Sequence, residues 1–273
     1  MNQRAVRAVI RKDLMSVIRS KGVMIPLIVV PLIFFVLIPV LVSLAPNLVS
    51  MPGLSLQELD SFIQGMPAGL QNELSGYSES QVIIVLMVVY IFAPMFLIVP
   101  LMVSSVIAAD SFAGEKERKT IEALLYTPLT DFELFTAKLL SAWIPAVLVA
   151  FLGFAVYTAA ANLAGWPLMG KLFFPNWMWV ILVVWVAPAA AGLGLASMVL
   201  VSSRVRGFQE ANQIGGMVVL PILLLVIGQA AGVMYFNVRM VLLLGIFLWG
   251  IDGGLIWWGV KTFQRERLIT GGG

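Results

Sequence analysis

Six stretches of this chain are too long and too apolar to fold in water. They run over residues 24–45, 82–108, 139–162, 178–202, 214–236 and 240–260. A helix needs about 20 apolar residues to cross the hydrocarbon core of a bilayer, and each stretch supplies that length. Inside hydrocarbon the backbone has no water to bond, so a single spanning segment pairs its own amides as a helix. The expected fold is all-α: an integral membrane domain over residues 24–260 with six transmembrane helices. The first stretch exceeds the apolar core of a signal peptide, about 7–15 residues, and reads as a retained span.

Composition excludes several kinds of chemistry. Charged residues make up 11% of the chain, against about a quarter in a soluble domain. Neither cysteine nor histidine occurs. That leaves no disulfide, no thiol nucleophile and none of the usual zinc sites. No catalytic residue and no metal are expected, and an intramembrane enzyme fits poorly. Membrane lipids are expected partners; nucleic acid is not.

The basic residues set the topology. Arg4, Arg7, Arg11, Lys12, Arg19 and Lys21 precede the first span. Lys116, Arg118, Lys119 and Lys138 follow the second, Arg204 and Arg206 the fourth, and Lys261, Arg265 and Arg267 the sixth. These are 15 of the 17 Lys and Arg; only Lys171 and Arg239 lie on the other side. Basic loops stay in the cytoplasm, so both termini are expected inside, in a multi-pass protein of the plasma membrane. An even number of spans requires the termini to share a side, which agrees.

Three flanking segments have patterns of their own. Residues 1–23 read as a helix lying in the inner interface, with Val6, Val9, Ile10, Leu14, Val17 and Ile18 on one face. The extracytoplasmic loop 46–81 carries Glu58, Asp60, Glu73 and Glu79, and Leu54, Leu56, Leu59, Phe62 and Ile63 suggest one short amphipathic helix there. Trp166, Trp177 and Trp179 fit an aromatic belt at the outer interface.

The cytoplasmic loop 109–138 is the most distinctive segment. Ile121, Leu124 and Leu125 form an apolar stripe at helical spacing, surrounded by Glu115, Glu117, Arg118, Lys119 and Glu122. Pro128 ends this helix. Thr130-Asp131-Phe132-Glu133 is a capping box that starts the next one. A short helix with charges of both signs suits docking into a groove of a soluble partner; a solvated loop has the same pattern.

The run GEKERKTIEALLYTP, with Glu133 and Lys138 after it, resembles the signature of the ABC-2 type permeases. Glu115, Glu117, Arg118, Thr120, Glu122, Leu124, Leu125, Thr127, Pro128 and Lys138 match it, while Lys119 stands where that family often has glycine. Ser203-Arg204 through Gln209-Glu210-Ala211-Asn212-Gln213 and Pro221 are similar to the region around the family's fifth span. The resemblance implies a permease subunit of an ATP-binding-cassette exporter, itself without catalysis. It implies a coupling helix between the second and third spans, with Glu115, Glu117, Arg118, Thr120, Ile121, Glu122, Leu124 and Leu125 contacting the ATPase through the loop 110–128. Two ATPase subunits would bind ATP and Mg, and a second permease subunit, identical or related, would complete the pathway. Family cargoes include ions, drugs, antibiotics, lipids and polysaccharides, and the apolar spans lean toward multidrug or lipid efflux. The sequence has no G-x-x-x-x-G-K-[ST] loop of its own to hold nucleotide phosphates.

A stand-alone secondary transporter or channel is the alternative. Such proteins need ionisable groups in the membrane, and Asp252 in the sixth span is the clear candidate. A charge there costs about 2.5–3.5 kcal/mol, so it needs a partner, water or a proton. Asp252 and Gln229 are candidate substrate-pathway residues; a structural role between helices is the favoured alternative for both. Gly250 with Gly254, Gly228 with Gly232, and the small face Ala190, Gly192, Gly194 and Ala196 have the spacing of close helix contacts. Pro26, Pro31, Pro39, Pro94, Pro100, Pro145, Pro188 and Pro221 place potential kinks in five spans.

Overall fold

The computed structural model of the 273-residue chain describes residues 3–48, 68–118, 130–202, 204–205, 207–231 and 234–262. The N-terminal helix α1 is Gln3–Arg19. Span α2 is Lys21–Leu44, and a short helix α3, Ala68–Leu74, follows on the far side. The other spans are α4 (Glu79–Glu117), α5 (Asp131–Met169), α6 (Trp177–Ser202), α7 (Phe208–Gln229) and α8 (Val238–Val260). All are long and apolar enough to cross a bilayer, and among the described residues there is no strand.

Helices α4 and α6 form the interior. In the apolar windows of both, 72% of residues are buried, against 17–28% in the other four spans. Lipid removes the hydrophobic drive for helices to associate, so contact depends on close fit. Gly194 supplies it: a methyl group there would collide with the carbonyl oxygen of Leu101 and the hydroxyl of Ser104 on α4. At Gly194 the small face read in the fourth span therefore packs against the second, and at Gly192 it meets the sixth. Gly250, Gly253 and Gly254 meet nothing within 4 Å among the described residues, so the glycine pair of the sixth span makes no close helix contact there.

Three spans widen just before a proline. The π-helical turns are Ile33–Leu37 before Pro39, Leu86–Ile91 before Pro94, and Leu182–Val186 before Pro188. Proline has no N–H and its ring crowds the carbonyl four residues back, so the ladder opens and carbonyls lose partners. In α4 other helices supply those partners. The Tyr157 hydroxyl donates to the Val88 carbonyl at 2.7 Å, the Trp179 indole N–H to Val89 at 2.6 Å, and the Gln229 amide to Tyr90 at 2.8 Å. In α6, Trp249 donates to the Trp185 carbonyl at 3.2 Å. Each opened turn in α4 and α6 thus becomes a tie between helices.

This bond relocates Trp179. Read as part of the aromatic belt, it is fully buried, stacked on Tyr157 with ring centroids 5.0 Å apart and edge-on to Phe174 at 4.8 Å. Its N–H has a freed carbonyl to reach, and its ring fills the centre of the aromatic cluster. Trp166 and Trp177 are exposed.

The N-terminal helix buries most of the apolar face read in the sequence, with Asp13 added to it and Ile18 left out. Val6, Val9, Asp13 and Val17 are buried, while Ile18 is 66% exposed. Val6 and Val9 pack on Leu134 and Ala137 at the start of α5. The amphipathic helix read around Leu54–Ile63 lies outside the described residues.

Candidate functional site

At the base of the bundle, α1, α4 and α5 converge on a buried set of charges. Span α4 carries on past its apolar run because Asp110, Ser111 and Glu115 are enclosed there rather than exposed to solvent. Lys138 of α5 reaches across, donating to Glu115 Oε2 at 2.6 Å, to the Ser111 carbonyl at 2.6 Å and to Ser111 Oγ at 3.1 Å. Asp13 of α1 accepts from Ser111 at 2.8 Å and from Ser141 of α5 at 3.1 Å. Lys12 pairs with Glu115 and lies 3.3 Å from the second oxygen of Asp13.

The fourth wide turn, Asp110–Gly114, has no proline behind it and lies inside this network. Lys138 bonds its Ser111 carbonyl, and Arg118 bonds the Asp110 carbonyl at 3.3 Å and the Asp110 carboxylate at 3.0 Å. Gly114 leaves room for this: an added methyl would stand 2.9 Å from Asp110 Oδ1 and 3.2 Å from the Arg118 guanidinium.

Among the described residues the network is balanced in charge. Asp13, Asp110 and Glu115 face Lys12, Arg118 and Lys138. Balance matters because an unpaired buried ion costs several kcal/mol. Burial alone would make Lys12 less basic, but the bond to Glu115 and the charges of Glu115 and Asp13 outweigh it. Its pKa is raised above the ordinary 10.5.

The end of α4 is also tied to α7. Exposed Glu117 accepts the backbone N–H of Phe208 at 2.9 Å, and Lys116 donates to the Val205 carbonyl at 3.2 Å. Thr120, Ile121, Glu122, Leu124 and Leu125, with the helix read over them, lie outside the described residues. The chain re-enters at the capping box as read: Thr130 Oγ1 accepts the Glu133 N–H at 3.2 Å, and Glu133 accepts the Thr130 N–H at 3.0 Å.

A family model for ABC-2 family transporter proteins matches residues 7–248. That range contains the whole charge network and most of the membrane domain. The chain belongs to the ABC-2 transporter family. Searches among curated proteins and among solved structures gave no match. This ABC-2 protein is thus a multi-pass membrane component of an ABC-type transport system, a kind of subunit that is not itself catalytic and works with an ATPase.

Within the membrane, the two pathway candidates of the ABC-2 protein take different partners. Gln229 is buried, and its amide serves the Tyr90 carbonyl freed by Pro94. Asp252 is 1% exposed and lies against Gly192 of α6, where a methyl group would collide with its carboxylate. Neither of its oxygens has a hydrogen-bond partner among the described residues. No hydrogen bond joins Gln229 to Asp252 there.

Reading the sequence missed Asp13, Ser111 and Ser141. Asp13 leaves a local trace, since it interrupts the buried row Val6, Val9, Val17 at helical spacing. The two serines leave none, because their partners are distant in the chain.

Proposed function

We propose that this chain is the permease subunit of an ATP-binding-cassette exporter, driven by a separate ATPase that engages the segment leaving α4. The observation that supports it is the Lys138–Glu115–Lys12 junction. It binds the end of α4 to α5 and α1, so force applied just beyond Arg118 reaches three elements together. On this reading Glu117 and Arg118 stand at the root of the lever and Thr120 through Leu125 form its contact surface. Glu115, being buried, transmits rather than touches. Two ATPase subunits bind ATP and Mg, a second permease subunit, identical or related, completes the pathway, and both termini face the cytoplasm at the plasma membrane.

Co-purification with the ATPase and ATP-dependent transport in proteoliposomes test this. Glu115→Gln is expected to keep the ATPase bound while lowering transport at least tenfold. A protein that never recovers an ATPase, or a Glu115→Gln variant at full speed, sinks the reading.

Asp252 favours a second reading. Both its oxygens lack a hydrogen-bond partner among the described residues, and ionisable groups inside the membrane mark ion pathways and proton relays. Transport into proteoliposomes without ATP would replace the first reading with this one.

A further inference from the structure

The outward face of α1 carries an uncompensated row of cations. Arg4, Arg7, Arg11, Arg19 and Lys21 are all exposed, and none pairs with an acid among the described residues. Arg4, Arg7 and Arg11 share one side of the helix, and Met15 and Ile18 continue it, 40% and 66% exposed. An open cleft of about 530 Å³ lies at the α1–α2 junction, lined by Lys12, Met15, Ser16, Arg19 and Ser20. Helix α1 ends at Arg19 and span α2 begins at Lys21. The cleft therefore sits where the chain enters the bilayer.

We propose that this face docks anionic phospholipid, with one headgroup phosphate seated in the cleft and its neighbours along Arg4, Arg7 and Arg11. The chemistry is complementary. A guanidinium offers a planar fork of donors that matches phosphate oxygens, and Ser20 adds a hydroxyl, while the Ser16 hydroxyl at the cleft wall already donates to Asp110 at 3.4 Å. Met15 and Ile18 supply the apolar contact expected where headgroups meet acyl chains. An acidic protein surface would satisfy the arginines but not two exposed apolar side chains beside a membrane entry point. Setting topology requires basic residues but no cleft. Lys12 lines the cleft and also holds Glu115, so an occupied cleft adjoins the charge network directly.

The full chain in detergent is titrated with phosphatidylglycerol, phosphatidylcholine and inorganic phosphate, and bound lipid is counted by native mass spectrometry. Phosphatidylglycerol is expected to bind at least tenfold more tightly than phosphatidylcholine, with an affinity that falls as salt rises. Each cation near an anionic surface contributes about fivefold, so Arg19→Gln is expected to weaken binding by about that factor, and Arg19→Lys to restore most of it. Equal binding of the two lipids, salt-independent binding, or an unchanged Arg19→Gln variant overturns the proposal. Should Arg19→Gln fail to fold, the salt series on the unaltered chain decides alone. Displacement of the lipid by millimolar phosphate also overturns it, by making the cleft a site for a soluble anion.

Discussion

Lys138 of α5 and Glu115 of α4 meet at 2.6 Å with both side chains almost wholly enclosed. Two opposite charges withdrawn from water add little net stability, but each becomes expensive without the other. Lys138→Met alone and Glu115→Gln alone are each expected to cost about 3–5 kcal/mol, measured by unfolding in detergent. The double variant is expected to recover part of that loss. Strict additivity in the double-mutant cycle would mean that the two charges do not depend on each other.

Lys12 gives the network a pH dependence at its outer edge. Its pKa is raised above 10.5 in the folded protein by Glu115 and Asp13. A cation held above its unfolded value contributes stability that is complete below that value and lost as pH rises through the folded one. Attachment of α1 is therefore expected to persist through neutral and mildly alkaline pH and to loosen only above about pH 10.5. Proteolysis of α1 against pH follows this directly. Lys12→Met is expected to remove the alkaline step, and Lys12→Arg to move it higher. The effect is modest, because Lys12 is 45% exposed.

Gln229 is expected to matter for stability rather than for cargo choice. Its amide is the partner of the Tyr90 carbonyl that Pro94 leaves open. Gln229→Leu strands that carbonyl, at a cost of about 1–3 kcal/mol. The lower end is expected, since the substitution also removes the unserved Gln229 Oε1. Trp179→Phe strands the next carbonyl, at Val89, and is expected to cost more because the ring stack is disturbed as well. A changed cargo preference in Gln229→Leu with unchanged stability would return Gln229 to the pathway.

The distance over which each feature is encoded explains what the sequence reveals. The six spans are legible because about 20 apolar residues in a row are their own signal. The capping box at Thr130 is legible because donor and acceptor sit three residues apart. The charge network is not, since residues 12–13, 110–118 and 138–141 meet only after three helices pack. The prolines are visible, but the side chains that serve the carbonyls they free come from α5, α6, α7 and α8. Trp179 looks interfacial by type and is central by bonding. On α1 the spacing puts Asp13 in the buried row with Val6, Val9 and Val17, but its type argues for the outside, and the hydroxyls that hold it inside come from α4 and α5.

Asp252 separates packing from transport most cleanly, because its contact with Gly192 can be altered from either side. Gly192→Ala drives a methyl group into the carboxylate and is expected to cost about 1–3 kcal/mol, the usual range for overpacking. Asp252→Ala in the same chain makes room, so the double variant is expected to regain much of that stability. Asp252→Asn keeps the size of the side chain and removes only its capacity for charge. It is expected to leave folding and subunit assembly intact while lowering transport several-fold. If transport is unchanged in Asp252→Asn while Gly192→Ala still destabilises, the carboxylate is a packing element between α6 and α8, and the pathway lies elsewhere in the bundle.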